Sequence, residues 1–162
     1  GYRDGDFPED YELLLRLHHR GHPMAKLPEV LLEWRDSDGR LTRTDPRYSR
    51  EAFDRLRARY LAADPRLQPS RALAIWGAGR KTRQRAAHLL AHGFHPHVWI
   101  DIDPRKIGNR IDGAAVVDPT WLERRERPFV LSYVSNHGAK EQIASALQAM
   151  GYKRGQDYLL VG

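Results

Sequence analysis

A chain of 162 residues that is 41% hydrophobic and 30% charged, with a mean hydropathy of −0.68, has room for one ordinary domain or two small ones and reads as folded and soluble. It holds no run of about 18 apolar residues that would span a bilayer, no apolar stretch behind a basic start, and no cysteine, which excludes disulfide and thiolate chemistry and leads us to expect a cytoplasmic protein. The net charge of +6 is confined to one part: residues 1–70 carry 13 Lys/Arg against 13 Asp/Glu, and residues 71–162 carry 14 against 8. That excess points either to an anionic partner or to an arginine-rich solvated surface.

In chain order, residues 8–20 predict a helix. Asp6 stands where it can cap, Pro8 falls in the first turn, Tyr11, Leu14, Leu15 and His18 recur at helical spacing, and Gly21 ends the run. Residues 29–35 alternate and predict a short strand with Val30, Leu32 and Trp34 on one face. Ser49 stands as the cap of a further helix in which Phe53, Leu56 and Tyr60 repeat among arginines. Residues 64–71, with two prolines and no periodicity, read as a linker and coincide with the shift in charge.

Beyond the linker, strand and helix alternate. Residues 72–76 form a short apolar run ending at Gly77, residues 81–92 are helical around Ala86, Leu89 and Leu90, and residues 97–100 are a second strand. Val116 and Val117 suggest a minor strand, residues 129–134 are the clearest strand, a helix over 139–150 closes at Gly151, and residues 158–161 end the pattern. This alternation predicts an α/β fold: a Rossmann-like, three-layer domain over 72–162, with a parallel sheet covered on both faces.

Gly77-Ala78-Gly79-Arg80-Lys81-Thr82 falls at a strand-to-helix junction, where glycines let the backbone turn tightly and approach a phosphate. Thr82 stands where a dinucleotide fingerprint has its third glycine. Arg80, Lys81, Arg83 and Arg85 crowd the helix start, where the dipole disfavours cations unless an anion is present. Asp101, with Asp103 in reserve, ends the second strand at a spacing suited to ribose hydroxyls, and Ser135 follows the strand over 129–134 beside the glycine turn. Gly77, Gly79, Arg80, Lys81, Asp101, Asp103 and Ser135 are therefore candidate contacts for a nucleotide, a nucleotide sugar or NAD. The same glycines also serve close packing in domains that bind nothing, and His137 is either a ligand contact or the start of the next helix.

The succession Phe7-Pro8-Glu9-Asp10-Tyr11, then Leu27-Pro28-Glu29-Val30-Leu31-Leu32-Glu33-Trp34-Arg35, then Arg43-Thr44-Asp45-Pro46-Arg47-Tyr48-Ser49 is similar to the C-terminal third of bacterial family 2 glycosyltransferases. The resemblance implies that residues 1–63 are the acceptor-side end of a GT-A-type domain, mostly helical with one short strand, joined through 64–71 to the Rossmann-like domain. It implies an inverting transfer of a sugar from a nucleotide sugar to a glycan or lipid-linked acceptor hydroxyl in cell-envelope synthesis, with Asp10 as general base and Glu9 beside it. Trp34 and Arg35 would contact donor or acceptor. Residues 99–108 and 113–117 carry a second resemblance, covering about 72–162, to the Rossmann-like domain appended to some bacterial glycosyltransferases and found at the front of some sugar acyltransferases.

The family's donor-binding sheet and its metal-holding Asp-x-Asp lie upstream of the acidic pair. The triplets Asp4-Gly5-Asp6, Asp36-Ser37-Asp38 and Asp101-Ile102-Asp103 are misplaced for that duty, so no metal ligand is assigned here and a divalent ion is expected only in the full-length enzyme. The chain is accordingly expected to be a fragment that does not transfer sugar by itself, with uncovered apolar faces that pack on the second domain or on a second copy in a homodimer. The alternative is a nucleotide- or dinucleotide-binding regulatory module without transferase activity. Nucleic acid is not expected as a partner, because the arginines lack aromatic interleaving and no helix-turn-helix or zinc pattern accompanies them.

Overall fold

The structure, a computed structural model, describes residues 1–33, 37–68, 70–124 and 127–162. The chain divides into two compact units, Gly1–Leu61 and Ala62–Gly162.

The first unit holds helices α1 (Glu9–His19), α2 (Leu41–Thr44) and α3 (Arg50–Ala62), with a 3-10 turn over Pro46–Tyr48 between the last two. Pro8 occupies the cap position of α1 at φ −65, a value its ring already favours, and Asp6 gives no capping bond. Glu9, Asp10 and Glu12 in the first turn and Arg16, His18 and His19 in the last complement the helix dipole. The face expected from hydrophobic spacing is displaced. Leu14 is exposed, while Glu12 is buried with Tyr60 Oη 2.7 Å and Arg16 Nε 3.1 Å from its carboxylate. Helix α3 starts as expected, with Ser49 Oγ accepting the Ala52 N–H at 3.2 Å. The Tyr11 and Phe53 rings then meet at 5.2 Å, and Arg57 donates to both Tyr11 Oη and Asp54. Hydrogen-bonded phenols and carboxylates thus join α1 to α3 as much as aliphatic packing does.

The strand expected over 29–35 is not formed at residues 29–33, which are irregular, with Val30 87% exposed and Leu31 and Leu32 nearly as bare. A strand needs a ladder partner, and the first unit has no strand among its described residues to supply one. Trp34 and Arg35 lie outside the described residues.

The second unit contains β1 (Leu73–Trp76), α4 (Arg80–Leu90), β2 (Val98–Ile100), β3 (Arg110–Ile111), β4 (Ala114–Val117), a 3-10 turn over Pro119–Glu123, β5 (Phe129–Ser132), α5 (Ala139–Ala149) and β6 (Tyr158–Leu160). The strands form one sheet in the order β3-β4-β2-β1-β5-β6, parallel throughout except for the β3–β4 hairpin. This is a Rossmann-like α/β fold. All residues of β1, β2 and β5 are buried, as strands covered on both faces require. One face carries Ala74, Trp76, Val98, Ile100 and Val130 against Leu122 of the 3-10 turn and Ile143 and Leu147 of α5. The other parity, Ile75, Trp99 and Leu131, is equally buried, and α4 buries Thr82, Ala86 and Leu89.

The hairpin was not anticipated, although its signal is present. Asp112 and Gly113, both at positive φ (48 and 85), make the two-residue turn that pairs Ile111 with Ala114.

Candidate functional site

The sheet order reverses direction at β1. The chain moves from β1 outward through β2 to β4, then returns across the sheet to β5 and β6. The C-terminal ends of β1 and β5 therefore flank the crevice at which doubly wound sheets receive ligands. The first loop there is 77–79 and the second is 133–138. Gly77 takes φ +108, and a Cβ at this position would meet Thr82 Oγ1 and Val134 Cγ2, each at 2.8 Å. Only glycine makes this turn, so the helix start and the second loop close tightly on β1. Gly79 has an ordinary φ of −71 as the cap of α4, and a Cβ there would meet nothing within 4 Å.

Asp101 is held behind this turn. Its Oδ2 accepts the Ala78 N–H at 2.8 Å, its Oδ1 accepts the Asp103 N–H at 2.9 Å, and Lys106 Nζ lies 3.1 Å from Oδ2. Burial raises its pKa, but the Asp103 and Ala78 amides and the Lys106 ammonium outweigh burial and hold it below the ordinary carboxylate value. Asp103 is paired with Arg105, whose guanidinium and amide pull its pKa down to about 2. A ribose hydroxyl at Asp101 would share its oxygens with the Ala78 and Asp103 amides and the Lys106 ammonium. Sequence reasoning missed Lys106; its one signal is the Asp-x-Asp-x-x-Lys spacing.

Arg80, Lys81 and Arg83 are exposed at the start of α4, while Arg85 reaches the Tyr133 carbonyl at 3.3 Å. Ser135 is exposed in the second loop, together with His137. The structure therefore brings Gly77, Ala78 and Asp101 into one bonded cluster, keeps Asp103 beside it through Lys106 at 3.5 Å, and leaves Arg80, Lys81 and Ser135 facing solvent.

In the first unit, Glu9 and Asp10 occupy the first turn of α1 and have different surroundings. Both oxygens of Glu9 receive the Tyr48 hydroxyl, at 2.6 and 2.5 Å. That bond lowers the Glu9 pKa and, with burial, pushes the Tyr48 phenol up to about 12. Asp10 is exposed, and its carboxylate accepts the Tyr11 N–H at 2.7 Å. Tyr48 was not singled out as a site residue, because nothing local in the sequence links position 48 to position 9. Among the described residues no three His, Asp or Glu side chains converge to hold a metal ion, and no helix is long and apolar enough to cross a membrane. No protein-family model and no curated protein matches this chain.

Proposed function

We propose that residues 1–63 are the acceptor-side end of a family 2 glycosyltransferase acting in the cytoplasm, with Asp10 as its general base, and that the Rossmann-like unit is an appended domain. In the reaction, an acceptor hydroxyl oxygen forms a bond to the anomeric carbon of a nucleotide sugar while the carbon–oxygen bond to the diphosphate breaks. The electron pair leaves with the nucleoside diphosphate, and the hydroxyl proton passes to the base. The observation that carries this reading is the split within the acidic pair. Glu9 is taken by Tyr48, whereas Asp10 stands exposed in the first turn of α1, open to a substrate hydroxyl. Transfer of labelled sugar from a panel of nucleotide sugars by the whole protein tests it. Activity in that protein and none from the purified 162 residues is the expected pattern, and turnover by the 162 residues alone would overturn it.

A second reading assigns to the glycine turn a phosphate-bearing ligand such as a nucleotide or nucleotide sugar. It is favoured by Arg80, Lys81 and Arg83, three exposed cations without an ion pair among the described residues, at a helix start whose dipole disfavours them. Calorimetry with UDP and UDP-sugars separates the two: heat that disappears with Lys81→Ala supports a working site here, and silence removes it.

A further inference from the structure

We infer that Tyr48 is the positioning residue of the acidic pair: by binding both oxygens of Glu9 it withdraws that carboxylate and leaves Asp10 alone to face the acceptor hydroxyl. This role presupposes Asp10 as the base. The connector that delivers Tyr48 is fixed from both sides. Asp45 caps the 3-10 turn by accepting the Arg47 N–H at 2.9 Å and clamps the Arg47 guanidinium at 2.6 Å, while the next residue, Ser49, caps α3. The Tyr48 and Ser49 amides donate to Asp45 O and Pro46 O, each at 3.0 Å, which holds the backbone from which the ring projects. Thirty-nine residues of chain separate the two partners, so the bond is a tertiary contact and not a local accident.

Two adjacent carboxylates at one helix start both offer acceptor oxygens, and Tyr48 occupies both oxygens of one of them. The phenol is a donor that remains protonated across the working range, so it neutralises part of the Glu9 charge without taking the proton itself. The other charged groups bearing on this pair are Arg47, which favours the Glu9 anion, and Asp45, which opposes it, with Asp10 itself close enough to act on Tyr48.

The test has two arms. In the 162-residue chain, carbon-13 titration of the Glu9 carboxyl is expected to show a raised midpoint in Tyr48→Phe, and an unchanged midpoint would overturn the contact. In the whole protein, Tyr48→Phe is expected to lower kcat by roughly tenfold with KM nearly constant, because a freed Glu9 carboxylate competes with Asp10 for the acceptor hydroxyl. Glu9→Gln is expected to make Tyr48→Phe silent on that background. A kcat in Tyr48→Phe equal to the parent's, or one that falls equally on the Glu9→Gln background, with the melting temperature lowered, would make Tyr48 a structural strut and overturn the proposal. Asp10→Asn keeps the two questions apart: full activity in that variant removes Asp10 as base, whatever Tyr48 does.

Discussion

Gly77 and Gly79 look equivalent in sequence and differ in every physical respect. Gly77→Ala places a Cβ 2.8 Å from both Thr82 and Val134 at a φ of +108, so a loss of about 1–3 kcal/mol in urea unfolding is expected. Gly79→Ala meets open space at an ordinary φ and is expected to leave stability within about 0.5 kcal/mol of the parent. If Gly79→Ala nevertheless abolishes binding of a phosphate-bearing ligand, the glycine serves ligand approach and not folding. Asp101 is the other residue whose role is clarified, since it is the brace of the turn. Asp101→Ala leaves the buried Ala78 N–H without its acceptor, at a cost of about 1–3 kcal/mol.

The pH dependence follows from sign. Asp101 and Asp103 titrate lower when folded than in the unfolded chain, so their contribution is complete above the unfolded value of about 4 and is lost as pH falls toward about 2. Acid unfolding of the second unit followed by circular dichroism is expected to begin in that window, and Asp101→Asn is expected to flatten it.

At the level of elements, most of the second unit was legible because its central strands β1, β2 and β5 are apolar runs between turn signals, whereas the two-residue β3 is not. The runs at 72–76, 97–100 and 129–134 become β1, β2 and β5 with ends trimmed by one or two residues. Burial on both faces leaves no alternation to misread. The first unit was less legible. A helix whose buried position is Glu12 cannot be phased by hydrophobicity, because the side chains that satisfy it, Arg16 and Tyr60, are visible only in three dimensions. Residues 29–33 have strand composition, yet pairing is a property of the partner as much as of the segment. Amide exchange tests this: Val30, Leu31 and Leu32 are expected to exchange at unprotected rates in the 162-residue chain, while Ile75 and Leu131 in the sheet centre are protected to near the global unfolding limit. Protection of residues 30–32 in the isolated chain would contradict the irregular backbone.

For the whole molecule, the sequence divides labour between a charge-balanced first unit and a second unit carrying the entire excess of 14 basic over 8 acidic residues beyond position 70. Bonding within each unit accords with that division. The first is joined by carboxylate–phenol and carboxylate–guanidinium contacts that engage Glu9, Glu12 and Asp54 and leave Asp10 facing solvent. The second is a sheet whose carboxylates at the crevice are consumed in bracing its own turn while several cations stay outside. The proposed transferase reading stands on the proton acceptor, Asp10. The most direct measurement compares Asp10→Asn with Glu9→Gln for sugar transfer by the whole protein. The account predicts a fall in kcat of about 10²–10⁴ for Asp10→Asn and a far smaller change for Glu9→Gln; an Asp10→Asn enzyme as fast as its parent would contradict it.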